Sequence, residues 1–340
     1  MGPISASQVM HDLEDRGFVR SYGLLTSYQS NIQIREHVIL EARKKWDQTL
    51  DKIVRSQIIE PDLIRRLHVE QLECLMHICM YIEDLAYLIY LLRHHPRSMD
   101  RPIYFGGSER AQIIKALSET SRRTLSARFR MPKYSKLRLP NSDLLIVKDV
   151  FNRYLVGLQH DISMIINFSN RRYFAVYNEY KHTFDILTGM YSVKDHTLDT
   201  HIYVRVTKRK KGKEQEHAFI LEASPEAVNY YYKVFDSTSN LINCLTQNTL
   251  NYMVYADGRY LIRTPREYSL PQDLLTEYEA LIDRHGLHYS KAHSLKLGIS
   301  LQSKALASTQ KQLKEGFIAV LPKPLFSRQF TTTRSSLKVT

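Results

Sequence analysis

The stretch CLMHICMYIEDLAYLIYLL, from Cys74 to Leu92, decides the fold of this chain. It is nearly long and apolar enough for a membrane span, but Glu83 and Asp84 lie near its middle, where two carboxylates in hydrocarbon would cost several kcal/mol. An apolar stretch of this kind is typical of the central helix of a bundle, which is covered on most sides. We therefore predict no transmembrane segment, and we expect a carboxylate of this pair to be buried against an arginine or a tyrosine hydroxyl.

The composition supports a mainly α fold. The 340 residues include only 12 glycines and 11 prolines, which are few for an architecture of strands and turns. Pro61 begins the helix that carries the apolar stretch, and Pro96 follows its end near His94. The sequence predicts a helical bundle with one or two small β-hairpins in the C-terminal half.

The patterns divide the chain into four parts. Residues 1–29 form an N-terminal segment, and residues 30–190 form the helical bundle. Residues 191–320 form an α+β part with a basic hairpin at 201–222. Residues 321–340 are polar and basic without periodicity, so we predict a disordered tail.

Caps and breakers predict the remaining boundaries. The predicted elements are a helix over residues 30–59, a helix capped by Asn141 or Ser142 that runs to Phe168, a helix from Asn170 to about Leu187, a helix from Ser224-Pro225-Glu226 to about Gln247, a small hairpin over residues 252–263, and a helix over residues 271–285.

The net charge of +13 is concentrated in two parts of the chain. Residues 101–150 carry 11 basic and 4 acidic residues, and residues 301–340 carry 7 basic residues and 1 acidic residue. These surpluses of 7 and 6 account for the whole net charge, so the rest of the chain is neutral overall. A polyanion would therefore meet the positive charge at two places.

The densest basic stretch is RRTLSARFRMPKYSKLR, which contains no acidic residue. Arginine and lysine neutralise phosphates, and exposed aromatic rings stack on unpaired bases. The alternative is a solvated surface that keeps the protein soluble. The predicted nucleic-acid-binding residues of this stretch are Arg122, Arg123, Arg128, Phe129, Arg130, Lys133, Tyr134, Lys136 and Arg138.

A second basic cluster lies at the tip of the predicted hairpin and comprises Lys208, Arg209, Lys210 and Lys211. It is either a basic finger that reaches a nucleic acid or an acidic partner, or charge that prevents strand addition at an edge. We include these four residues in the predicted nucleic-acid-binding set.

Four polar residues form the candidate catalytic set, which comprises Arg153, His160, Asn178 and His182. Histidine exchanges protons near neutral pH, asparagine can hold a substrate oxygen, and arginine stabilises phosphoryl charge. Arg153 and His160 share one face of a helix. Arg171 shares one face of the next helix with Asn178 and His182.

An arginine and a histidine separated in this way on a late helix of an α-bundle resemble the motif of the HEPN superfamily, many members of which are ribonucleases that act as dimers. The stretch YNEYKH, which ends at His182, is similar to the Y-N-x-x-K-H stretch of several uncharacterised helical families. The HEPN resemblance implies a metal-independent ribonuclease, with His160 or His182 as acid or base and Arg153 or Arg171 holding phosphate. The chain departs from that pattern at Tyr154, where a small polar residue is favoured.

The sequence contains no motif of a phosphate-binding loop, a dinucleotide-binding fold, a zinc protease or a serine hydrolase. Glu179-x-x-His182 lacks the second E-x-x-H of a di-iron site, and His285, His288 and His293 are irregularly spaced for zinc. We therefore predict no metal and no cofactor.

These observations favour a nucleic-acid-binding protein that takes RNA or single strands through its basic patch, and they leave open whether it is an enzyme. The alternatives are a HEPN-like ribonuclease and a non-catalytic scaffold whose basic surface meets an acidic protein or a membrane surface. We allow for a homodimer. Three cysteines and the lack of a signal peptide predict reduced, buried thiols and a cytoplasmic protein.

Overall fold

A computed structural model gives the fold of this chain as a helical bundle with one small antiparallel sheet. The structure describes residues 6–56, 60–94, 112–114, 116–117, 122–133, 137–171, 173–182, 186–187, 191–194, 197–210, 213–255, 270–285 and 287. The predicted mainly α class, with its β structure in the C-terminal half, is confirmed.

The helices of the described residues are α1 (Ala6–Asp15), α2 (Val19–Ser56), α3 (Pro61–His94), α4 (Arg122–Arg128), α5 (Asn141–Asn170), α6 (Tyr173–His182), α7 (Pro225–Val254) and α8 (Gln272–Arg284). The strands are β1 (Ile186–Leu187), β2 (Tyr191–Lys194), β3 (Thr197–Lys210) and β4 (Lys213–Glu222).

Helix α3 lies at the centre of the bundle, as its apolar sequence predicts. It packs against both α2 and α7, and α7 also packs against α5. Leu75, Ile78 and Leu88 on α3 are fully buried. Burying a side chain of this size stabilises a fold by about 1.5–3 kcal/mol, so α3 holds its neighbours through many such contacts.

The two carboxylates in the middle of α3 have the kinds of partner that the sequence predicts. Nε of Arg35 lies 2.8 Å from Oδ2 of Asp84. The hydroxyl of Tyr177 donates to Oε2 of Glu83 at 2.8 Å. A carboxylate inside a helical core is tolerated where a cation or a hydroxyl compensates for its lost hydration.

Among the described residues, one helix, Pro61–Arg93, is long and apolar enough to cross a membrane, with a mean hydropathy of 1.5 in its most apolar window. Inside the fold, 67% of that window is buried. The core helix of a globular protein meets the same criteria, so they do not by themselves indicate a membrane span.

The sheet is antiparallel, and its longest strand, β3, pairs with each of the others. The β3–β4 register runs from His201 opposite Glu222 to Lys210 opposite Lys213, so only two residues separate the strands. The hairpin predicted at residues 201–222 is confirmed, and β3 extends it back to Thr197.

The end of the helix predicted to reach Leu187 is wrong, because α6 ends at His182 and β1 follows. Ile186 pairs with Val204, and Leu187 pairs with Tyr203. Pairing with β3, which is distant in sequence, overrides the local helical pattern here.

The starts of two other helices differ from the prediction. Helix α2 begins at Val19 instead of residue 30, and Tyr22 and Leu25 on its added part are fully buried. The predicted side-chain cap of α5 is wrong, because its N-cap is Pro140 and no side chain accepts a hydrogen bond there.

The predicted start of α7 is confirmed. The hydroxyl of Ser224 accepts a hydrogen bond from the N–H of Ala227 at 3.2 Å. The helix runs on to Val254, so residues 252–254 are helical and the hairpin predicted from residue 252 does not begin there. Residues 256–269 lie outside the described residues.

The buried apolar residues form one large cluster that joins the predicted N-terminal segment, the bundle and the α+β part. It contains Leu13 of α1, Leu85 of α3, Leu158 of α5 and Leu281 of α8. A smaller cluster around Trp46 lies between α2, α3 and α7. The predicted tail at residues 321–340 lies outside the described residues.

Candidate functional site

A cleft of about 390 Å³ lies beside the C-terminal end of α3 and the helix α4, and we call it the arginine cleft. Its charged lining residues are Arg93, Arg128 and Arg130, and none of its described lining residues is acidic. Apolar residues that include Ile89 and Ile113 line the rest. The cleft therefore combines a positive rim with an apolar interior.

Arg93 and Arg128 lie near enough to affect each other. Partial burial, and then the positive charge of Arg93, lower the pKa of Arg128. A guanidinium nevertheless stays charged at neutral pH. Two like charges at one cleft repel each other, and a bound anion removes that repulsion.

Main-chain carbonyls hold two of the three guanidinium groups in place. Arg128 Nη1 donates to the carbonyl of Ala116 at 2.8 Å, and Arg130 Nη2 donates to the carbonyl of Leu92 at 3.4 Å. The guanidinium carbon of Arg130 lies 4.8 Å from the ring centroid of Tyr252. A guanidinium has five N–H donors, so these contacts position the charge without neutralising it.

The backbone of Arg130 adopts a left-handed conformation, with a φ of 53°. It follows the end of α4, where Arg130 N donates to Ala127 O and Met131 N donates to Ser126 O. This pattern is a Schellman motif, in which glycine is usual at the left-handed position. Glycine does occupy that position after α1, where Gly17 has a φ of 67°.

Within the basic stretch, the predicted stacking role of Phe129 is wrong. Its side chain is 1% exposed and belongs to the core cluster, so no base can stack on an open face of the ring. Lys133 and Arg138 are exposed, as an interaction with phosphates requires. Arg93, which completes the cleft, was missed because it is far from this stretch in sequence.

Other predicted nucleic-acid-binding residues have no described side chain. The main chain of Arg122 and Arg123 begins α4, and the main chain of Lys208, Arg209 and Lys210 ends β3. Tyr134, Lys136 and Lys211 lie outside the described residues.

The structure does not bring the four candidate catalytic residues together among the described contacts. Arg153 and His160 are exposed on α5, where Nε of Arg153 lies 3.3 Å from a carboxylate oxygen of Asp149. Asn178 is exposed on α6. His182 ends α6, and its side chain is not among those described.

The sequence predicted that Arg171 shares one helical face with Asn178 and His182. This prediction is wrong. Arg171 follows the end of α5 in an extended conformation, and α6 begins only at Tyr173. The tight connection between the two helices therefore turns Arg171 away from the regular spacing.

No group of three or more potential metal ligands is found within the described part of the chain. Nε2 of His285 lies 2.5 Å from Oδ2 of Asp143, while His288 and His293 lie outside that part. All three cysteines, Cys74, Cys79 and Cys244, are buried and form no disulfide, as predicted.

Comparison with family models, with curated proteins and with solved structures finds no match to this chain. The resemblance to HEPN domains therefore stays a prediction.

Proposed function

We propose that the protein binds RNA or single-stranded nucleic acid at the arginine cleft. The observation that carries this proposal is the convergence of Arg93, Arg128 and Arg130 on one cleft with no acidic residue in its described lining. Guanidinium groups bind phosphates through paired hydrogen bonds, and nucleic acid presents phosphates at close, regular spacing.

The shape of the cleft favours an unpaired nucleotide over a double helix. Its volume of about 390 Å³ falls in the range of small-ligand pockets, and its interior is apolar. An unstacked base has an apolar face that such an interior can take, while the arginines hold the adjoining phosphate. In a double helix the bases stay stacked, so only the sugar-phosphate backbone is presented to a concave site.

The conformation of Arg130 also supports the proposal. A left-handed backbone costs a non-glycine residue of order 1 kcal/mol, and such positions cluster at functional sites. The equivalent position after α1 is Gly17, whereas the turn after α4 has Arg130. The arginine adds a positive charge to the cleft in spite of the backbone cost.

The test is the affinity of a fluorescently labelled single-stranded RNA, measured by anisotropy at several salt concentrations. Arg93→Glu should weaken binding by about tenfold or more at low salt, and it should reduce the dependence of log K on log salt by about one unit or more. Arg93 is exposed, so the change should leave the fold intact.

The matched control is Arg65→Glu on the same helix. Arg65 is exposed and lies 28 positions before Arg93, which corresponds to about 42 Å of helix. The control makes the same change in net charge and should leave affinity within about twofold. Equal losses in both variants, binding that does not depend on salt, or no binding by the wild type would overturn the proposal.

A further inference from the structure

A second cleft, of about 840 Å³, is formed by the α5–α6 connection, the end of β4 and the start of α7. We call it the tyrosine cleft, because Tyr173, Tyr230 and Tyr231 line it. It shares no lining residue with the arginine cleft. Its ligand is therefore a separate question from the proposed function.

The three tyrosine rings form an aromatic wall of this cleft, and a buried phenylalanine packs against all three. The ring centroid of the buried Phe168 lies 4.7 Å from that of Tyr173, 6.1 Å from that of Tyr230 and 6.2 Å from that of Tyr231. Tyr173 and Tyr231 also meet edge to face, at 5.2 Å. Contacts of this kind fix ring orientations, so the wall offers a preformed apolar surface to a ligand.

Arg171 places a fixed cation at the edge of this wall. Its main-chain N–H donates to the carbonyl of Phe168 at 3.2 Å, at the end of α5. The guanidinium lies 4.4 Å from the ring centroid of Tyr230. A hydrogen bond to Tyr173 raises the pKa of Arg171, so the charge is permanent.

Two carboxylates complete the charged lining, one at the end of β4 and one in the first turn of α7. Glu222 ends β4, and its carbonyl accepts a hydrogen bond from Gln71 Nε2 at 2.8 Å. Glu226 lies in the first turn of α7, which Ser224 caps. Both side chains are exposed.

The described linings of the two clefts carry net charges of opposite sign. The described lining of the tyrosine cleft carries one positive and two negative groups, in a chain whose net charge is +13. Since a nucleic acid is repelled by carboxylates, this cleft selects a different ligand, one that carries a cation as well as an anion.

We propose that the tyrosine cleft binds a short peptide segment that carries a basic side chain and a carboxylate. The basic side chain pairs with Glu222 and Glu226, and the carboxylate pairs with Arg171 in the two-pronged geometry that a guanidinium favours. Apolar side chains of the peptide cover Ile220, which is 57% exposed, and the tyrosine rings.

The volume of the cleft and one polar group agree with a peptide. A cleft of about 840 Å³ accommodates several amino-acid residues and exceeds the needs of a single amino acid. The hydroxyl of Tyr230 is buried without a hydrogen-bond partner among the described residues, and burial raises its pKa, so it remains a donor. A peptide carbonyl that reaches it would satisfy this donor.

The experiment compares three peptides by isothermal titration calorimetry on the full-length chain. They are acetyl-Leu-Arg-Leu with a free C-terminal carboxylate, the same peptide with a C-terminal amide, and acetyl-Leu-Gln-Leu with a free carboxylate. The first should bind tightest, and loss of either charge should weaken binding by about fivefold to tenfold. Equal affinity for all three, or no binding of the first, would overturn the proposal.

Two variants then assign each charge to its partner. In Glu222→Gln/Glu226→Gln, the arginine and glutamine peptides should bind equally. In Arg171→Gln, the carboxylate and amide peptides should bind equally. Arg55→Gln, at an exposed arginine outside the cleft, should keep both preferences. Preferences that persist in the cleft variants would also refute the assignment. RNA binding at the arginine cleft is unaffected in every case.

Discussion

Nε of Arg35 on α2 lies 2.8 Å from Oδ2 of Asp84 on α3, inside the bundle. The Asp84 side chain is 2% exposed, and the hydroxyl of Tyr28 donates to its main-chain carbonyl at 3.0 Å. Burial raises the pKa of Asp84 to about 8, although Arg35 opposes that rise. Asp84 is therefore a group whose protonation is coupled to folding.

This coupling predicts a pH dependence of stability. The unfolded chain ionises Asp84 near its ordinary value of 3.8, whereas the folded chain keeps the proton until about 8. The contribution of Asp84 to the free energy of unfolding therefore falls as the pH rises between these values, by up to about 1.4 kcal/mol per pH unit. Asp84→Asn removes this dependence, so urea denaturation at increasing pH should favour the variant progressively over the wild type.

Asp84→Asn also removes the partner of Arg35. This loss shifts the free energy of unfolding by the same amount at every pH in this range, because an arginine does not titrate here. The diagnostic quantity is thus the slope with pH. Asp149→Asn, at a side chain that is 49% exposed, should keep the slope of the wild type. A slope for Asp84→Asn that matches the wild type between about pH 5 and 8 would contradict this prediction.

The start of α7 gives a second prediction. Ser224→Ala removes the hydroxyl that accepts the N–H of Ala227 at 3.2 Å, and it should lower the free energy of unfolding by about 1 kcal/mol. Ser224→Asn offers another cap and should recover most of that loss. Both effects appear as shifts of the urea midpoint at unchanged slope. A variant with alanine that is as stable as the wild type would show that the cap contributes nothing.

Local patterns were sufficient where they determine an element by themselves. The apolar run from Cys74 to Leu92 predicted the central helix, and Ser224 followed by Pro225 predicted the start of α7. The strand Ile186–Leu187 was missed, because its pairing with β3 depends on residues far along the chain. The added length of α2 likewise depends on tertiary burial of Tyr22 and Leu25.

The candidate site was predictable only in part for the same reason. Charge density indicated Arg128 and Arg130, but no local pattern links them with Arg93, which α3 brings to the same cleft. Interleaved aromatic residues indicated a stacking surface, yet Phe129 faces the core. A sequence shows that an aromatic residue lies among basic ones, while only packing decides which side of the chain it faces.

Phe129 therefore predicts a stability effect. Phe129→Ala deletes a ring that is 1% exposed and should lower the free energy of unfolding by about 3–5 kcal/mol. Phe129→Leu retains most of the volume and should cost considerably less. Lys133→Glu, at an exposed side chain, should leave stability unchanged and weaken binding of RNA. A stable Phe129→Ala variant with impaired RNA binding would instead restore the stacking role.

In contrast to Phe129→Ala, a substitution of Arg130 should weaken RNA binding and leave stability almost unchanged. Arg130→Gly places the residue that a Schellman motif favours at a φ of 53°, which relieves about 1 kcal/mol of backbone strain. It also removes the hydrogen bond to Leu92 and the contact with the ring of Tyr252, together worth a similar amount. The free energy of unfolding should thus change by less than about 1 kcal/mol, while affinity for single-stranded RNA falls about tenfold.

The equivalent turn after α1 supplies the control for Arg130→Gly. At Gly17 an added Cβ meets nothing within 4 Å, so the cost of Gly17→Ala comes only from the φ of 67°. This variant should lose about 1 kcal/mol in urea denaturation and bind RNA as the wild type does. Together the two turns separate backbone strain from charge. If Arg130→Gly kept full affinity, the left-handed arginine would have no part in binding, and the proposal would lose one of the three arginines on which it rests.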